Sequence, residues 1–199
     1  MPRPDRGGLG AYHEKRDLER SGEPSGARRR PGGRPTFVVQ KHGARSLHYD
    51  FRLEADGVLK SWSVPKGPSA DPAVKRLAVP TEDHPLDYEN FEGVIPRGEY
   101  GAGPVIVWDG GTYENTTKDS SGRAVPVADA IERGHVSFDL HGKKLHGGYS
   151  LTRIRSGREP GWLLVKKADK FAKPGSDPER DEPESVQSGK DIGQVAEDK

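Results

Sequence analysis

Residues 47–53 read Leu-His-Tyr-Asp-Phe-Arg-Leu, and few folds can use such a run. Side chains of an extended chain alternate between two faces. Leu47, Tyr49, Phe51 and Leu53 fall on one face, and His48, Asp50 and Arg52 on the other. The first face belongs against a core and the second against solvent or a ligand. A helix would mix the two sets around its circumference. The run therefore asks for a half-buried antiparallel strand.

The polar face carries an imidazole, a carboxylate and a guanidinium in a row, with none of the Ser, Thr, Lys or Glu that ordinarily solvate a strand. His42 lies just before a short turn, so a tight hairpin can return it beside His48. Two imidazoles and a carboxylate make a metal's ligand set, and His-x-Asp at strand spacing recurs in facial sites. A fixed cation next to them suits a phosphate.

The rest of the central sequence is also β in character. Strands are expected over residues 36–41, 47–53, 58–64, 75–79, 104–108, 111–113, 135–140, 148–154 and 162–166. Asp56-Gly57 marks a two-residue hairpin turn, and Asp109-Gly110 is read as a second turn. The one helix expected, residues 127–133, ends at Gly134, a residue suited to a C-cap. Proline-rich loops are expected at residues 65–72 and 81–88, where Lys66 and His84 would be loop side chains. Many short strands with Gly and Pro turns predict a mostly β fold: a compact, closed or nearly closed β-barrel with one short helix.

The ends hold little to bury. Residues 1–34 include Arg28-Arg29-Arg30 and read as a flexible basic arm, with a turn or two of helix near residues 12–18. Residues 173–199 read as a disordered charged tail. The barrel domain is then 35–172. With 32 basic against 31 acidic residues, net charge gives no argument for nucleic acid. The absence of cysteine excludes disulfides and thiolate ligands. No apolar run reaches membrane-spanning length, and no apolar segment follows the first basic residues. A cytoplasmic, nucleoid-associated monomer without membrane contact is expected.

Longer blocks carry a resemblance. Phe37-Val38-Val39-Gln40-Lys41-His42, the 47–54 run, Ser61-Trp62-Ser63-Val64-Pro65-Lys66-Gly67-Pro68, Lys75-Arg76-Leu77-Ala78-Val79, Glu82-Asp83-His84-Pro85-Leu86-Asp87-Tyr88 and Trp162-Leu163-Leu164-Val165-Lys166 closely resemble the 3′-phosphoesterase domain of bacterial DNA ligase D. The resemblance covers about residues 12–172. It implies an enzyme that trims 3′ ends in non-homologous end joining, removing a terminal ribonucleoside and then the 3′-phosphate, with a divalent metal, typically Mn²⁺. It implies His42, His48 and Asp50 as metal ligands, and Arg52, His84 and Arg76 around the scissile phosphate. Lys66, Glu82 and Tyr88 would complete the site, and Arg16, Asp17 and Glu23 would serve the phosphodiesterase step. The implied partners are DNA or RNA-containing primer-template 3′ ends, with separate ligase, polymerase and Ku proteins, since a ligase motif is not visible and the chain looks like a stand-alone version or an excised one.

Two other readings fit part of the pattern. One is a two-His-one-carboxylate iron oxygenase barrel, against which the crowd of guanidinium groups argues. The other is a non-catalytic nucleic-acid-binding barrel, which usually shows exposed aromatics, whereas Tyr49 and Phe51 fall on the apolar face.

Overall fold

The computed structural model describes residues 8–26, 32–156 and 159–198. Two short helices come first, α1 (Gly10–Glu14) and α2 (Leu18–Ser21). The strands are β1 (Thr36–Gly43), β2 (Leu47–Ala55), β3 (Val58–Val64), β4 (Lys75–His84), β5 (Gly93–Ile95), β6 (Gly103–Asn115), β7 (His135–His141), β8 (His146–Ser156) and β9 (Glu159–Lys166). A 3₁₀ turn (Leu86–Asn90) follows β4, and α3 (Val127–Arg133) precedes β7. Two more short helices, α4 (Pro178–Asp181) and α5 (Ile192–Glu197), lie beyond the strands.

The sheet runs β1-β2-β3-β4-β9-β8-β7-β6, and β6 pairs back onto β1, closing an eight-stranded antiparallel barrel with β5 attached outside. Closure follows from the alternation. Phe37, Val39, Tyr49, Phe51, Leu53, Trp62, Phe138, Tyr149, Leu151 and Leu164 all point inward and are buried. A closed sheet fills its interior with such side chains and leaves no edge between its first and last strands. The Asp56-Gly57 turn forms as expected, both residues in the left-handed region at φ 50° and 79°.

The structure departs from the sequence reading at several points. Asp109-Gly110 is not a turn: β6 runs through it as one strand. Asp109 is instead fully buried and accepts the backbone N–H groups of Lys143, Lys144 and Leu145 at 2.8–3.1 Å, so it holds the β7–β8 turn from inside. Gly111 is required beside it, because a Cβ there would lie 2.2 Å from the His141 carbonyl oxygen. The loop expected from residue 81 begins only after His84. β4 pairs with β9 over residues 75–78 and with β3 over residues 79–84, and Pro80 stands where it has left β9.

Both ends fold onto the barrel where they are described. Tyr12 is completely buried in an outer cluster with Val38, Leu59, Tyr88 and Val107, which seats α1 against the barrel wall. The charged tail is held largely through its backbone: Trp108 Nε1 donates to the Glu182 carbonyl at 2.6 Å, the Val186 N–H to the Val107 carbonyl at 2.9 Å, and Lys144 Nζ to the Glu182 carbonyl at 3.0 Å. Composition does not register such anchors. The Arg28-Arg29-Arg30 cluster lies outside the described residues.

Candidate functional site

The hairpin β1–β2 pairs His42 directly with His48 and Gln40 with Asp50. The imidazole rings stand 4.8 Å apart, centroid to centroid. Each ring is fixed by a carbonyl at one nitrogen. His42 Nε2 donates to Gly101 O at 2.6 Å, and His48 Nδ1 donates to Ser46 O at 3.0 Å. That leaves His42 Nδ1 and His48 Nε2 bearing lone pairs, each 3.5 Å from a different oxygen of Asp50. The three ligand atoms lie within 4.8 Å of one another. Carbonyl acceptors that set the tautomer behind an imidazole are the usual second layer of a metal site. The donor set therefore fits a divalent ion.

Burial opposes ionisation of Asp50, but Arg52 and the two imidazoles outweigh it and hold the carboxyl well below its ordinary range. His48 is also desolvated, yet its contact with Asp50 prevails and raises its pKa.

Arg52, on the same face of β2, is buried and fully oriented. Its Nε donates to Gln40 Oε1 at 2.8 Å and its NH1 to Ser61 Oγ at 2.9 Å, while NH2 lies 3.4 Å from Asp50. Gln40 is held in turn by donating to the carbonyls of Tyr88 and Phe91. His84 ends β4 beside this guanidinium, with Nδ1 3.0 Å from Arg52 NH1 and Nε2 3.2 Å from Arg16 NH2. Burial and the two flanking arginines push its pKa well below the ordinary histidine value. In the neutral ring Nδ1–H donates to Glu82 O at 2.9 Å, and Nε2 accepts from Arg16.

Arg16 comes from the segment between α1 and α2. It donates to Glu23 at 2.9 Å and also pairs with Glu82 at 2.9 Å. Lys15 reaches Glu82 at 3.1 Å, and Tyr88 Oη donates to Glu23 at 2.8 Å. Burial works against the Glu82 carboxylate, but its own backbone N–H, Lys15 and Arg16 keep its pKa low. Burial, with Glu23 adding to it, raises Tyr88 well above the ordinary phenol.

These groups open onto one cavity of about 760 Å³, whose walls include Arg16, His42, His48, Asp50, Arg52, Glu82, His84, Tyr88 and Tyr100. Of the residues expected at the site, the structure leaves three elsewhere. Asp17 is an exposed N-cap of α2, accepting the Arg20 N–H. Lys66 is exposed in the turn after β3 and does not line the cavity. Arg76 lies two residues before the core residue Ala78, on the same side of β4, and does not line it either. Glu23 is buried behind Arg16 as its support. Sequence reasoning missed Gln40, Ser61 and Tyr100. The first was findable, since Gln40 shares the period-two face of His42; the others depend on which strands and loops meet.

The family model described as DNA Ligase D 3′-phosphoesterase domain matches residues 40–153. The chain is 52% identical over 164 residues to the multifunctional non-homologous end joining protein LigD of Pseudomonas aeruginosa, covering 81% of this chain and 19% of that protein. It is 47% identical over 156 residues to the multifunctional non-homologous end joining DNA repair protein LigD of Mycobacterium tuberculosis, covering 78% and 19%. With the Mycolicibacterium smegmatis LigD it shares 42% over 168 residues, covering 83% and 21%. The chain thus spans about a fifth of the length of these curated relatives.

Proposed function

The chain belongs to the DNA ligase D 3′-phosphoesterase domain family, and from that premise we propose that it heals 3′ ends for non-homologous end joining. On this reading it is a Mn²⁺-dependent hydrolase that removes a 3′-terminal ribonucleoside and then the 3′-phosphate from DNA or RNA-containing primer ends. Ligase, polymerase and Ku proteins would act on the same ends at the nucleoid. One observation carries the reading: a facial His42–His48–Asp50 set shares a cavity floor with an oriented arginine and a histidine held between guanidinium groups. An oxo-acid cosubstrate does not call for so many cations, whereas a phosphodiester does.

His42 Nδ1, His48 Nε2 and an Asp50 oxygen would hold the metal. When bound, such an ion polarises a phosphoryl oxygen and offsets charge that develops on the phosphate. Arg52 presents its forked donors to a non-bridging oxygen, and its bonds to Gln40 and Ser61 remove the cost of orienting it on arrival. His84 is neutral between Arg52 and Arg16. A phosphate anion placed among them reverses the local field and favours the imidazolium, so His84 can carry a proton toward the phosphate once substrate is there. Arg16, backed by Glu23 and Glu82, forms the part of the cavity wall beside His84.

The test is incubation with labelled primer-templates ending in a ribonucleotide or a 3′-phosphate, with and without Mn²⁺. Metal-dependent shortening followed by loss of the phosphate supports the reading; an unchanged 3′-phosphate end in both conditions overturns it.

A further inference from the structure

Tyr100 is a large apolar side chain left 47% exposed, and it stands in the wall of the catalytic cavity. Its loop is anchored to the metal-ligand set. The next residue, Gly101, accepts the His42 Nε2 hydrogen bond through its carbonyl and has φ +75°, and a Cβ built there would touch His42 Cε1 at 3.4 Å. The preceding residue, Glu99, pairs with Arg20 at 3.1 Å, and its carbonyl accepts the Ala102 N–H at 3.2 Å. Adjacent Cα atoms are about 3.8 Å apart, so the Tyr100 backbone sits about one residue from a ligand-bearing contact. Its ring is approached by two cations, Lys15 Nζ and the Arg16 guanidinium, each 5.1 Å from the centroid. Core packing does not account for a ring exposed to this degree at the mouth of a polar cavity.

Resting on the phosphoesterase reading, we propose that Tyr100 is the platform on which the nucleobase of the leaving 3′-terminal nucleoside stacks. An aromatic face accepts any base, because every base has a π-face. The flanking Lys15 and Arg16 polarise the ring and suit a sugar-phosphate passing beside it. The cavity, about 760 Å³, is of the size that holds a ligand larger than a phosphate alone. Tyr100 would then set the binding of nucleoside-terminated ends. A 3′-phosphate end has no base at that position and would not use it.

The experiment compares wild type with Tyr100→Ala and Tyr100→Phe on three primers ending in a ribonucleoside, a base-free ribose and a 3′-phosphate. For Tyr100→Ala, KM on the ribonucleoside end should rise at least about fivefold, the lower end of the effect of removing one stacked base. Its loss on the 3′-phosphate end should be clearly smaller than on the ribonucleoside end, and Tyr100→Phe, which keeps the ring, should restore the KM on the ribonucleoside end. The base-free end should be as poor for wild type as the normal end is for Tyr100→Ala, with no further loss when the two changes are combined. Equal loss on base-bearing and base-free ends would overturn the proposal and make Tyr100 a support for Lys15 and Arg16. No loss on any end would also overturn it. Wild type failing on the 3′-phosphate end would instead overturn the phosphoesterase reading itself.

Discussion

Arg16 of the amino-terminal segment and His84 at the end of β4 stand 68 positions apart in the chain and 3.2 Å apart in space. The segment is therefore part of the cavity. Its docking rests on Tyr12, buried in the outer cluster, and on the Arg16–Glu23–Glu82 ion group, whose side chains are nearly inaccessible.

His42→Ala, His48→Ala and Asp50→Ala should each leave the barrel folded and remove both phosphoesterase activities. Changes to groups behind metal ligands cost about 10- to 100-fold in affinity, so loss of a ligand itself should weaken Mn²⁺ binding by at least about 100-fold. Titration calorimetry with Mn²⁺, beside a circular dichroism melt, checks this. A variant that binds and turns over like wild type does not carry a ligand.

Arg52→Lys should keep the charge and still fail. It gives up the hydrogen bonds to Gln40 and Ser61 and the forked presentation to phosphate. Loss of one charge-assisted hydrogen bond to the phosphate is worth about 1.5–3 kcal/mol, so kcat/KM should drop by at least roughly 10- to 150-fold. Steady-state kinetics on a 3′-phosphate primer decides it; a rate near wild type would show that charge alone suffices.

Deleting residues 1–30 should leave a metal-binding barrel with a lower melting temperature, because the wall around Val38, Leu59 and Tyr88 loses Tyr12. Ribonucleoside removal should suffer more than 3′-phosphate removal, since the first reaction holds a longer end. Paired assays of the truncated and full chains report the ratio, and an equal loss of both would tie the segment to the shared phosphate contacts.

The docked segment should loosen in acid. Glu82 faces Lys15 and Arg16, with Glu23 and Tyr100 beside those cations, and its folded pKa lies below the ordinary glutamate value. A depressed carboxyl contributes stability that is complete above the unfolded pKa and disappears as pH falls through the folded one. Limited proteolysis of residues 8–26 should therefore be slow at neutral pH and accelerate below the carboxylate range. Glu82→Gln should be cut faster at neutral pH and show a smaller change with acid; an unaltered acid profile would move the effect to another group.

Phe51→Ala should destabilise the barrel by about 3–5 kcal/mol, the usual cost of truncating a buried phenylalanine. Its ring is wholly buried and stacks on Phe138 at 5.7 Å. Urea denaturation measures the change, and a loss under about 1 kcal/mol would mean that the barrel interior collapses around the void.

What the sequence determined by itself was set by local rules. Period-two alternation in residues 47–53 separated Tyr49, Phe51 and Leu53 from His48, Asp50 and Arg52, and the short turn after Gly43 brought His42 opposite His48. Those relations need only strand geometry and a hairpin, so the barrel class and the His42–His48–Asp50 set were legible. Tertiary structure decided the rest, because it depends on contacts that no local period encodes. Barrel closure through β1 and β6 turned Asp109 inward instead of into a turn. Strand parity put Arg76 on the side of Ala78, away from the cavity, and the turn after β3 left Lys66 in solvent. Backbone carbonyls at Glu182 and Pro24, invisible in composition, fixed Trp108 to the tail and Tyr12 to its own segment. Only the packing of that segment against β4 made Arg16 a neighbour of His84.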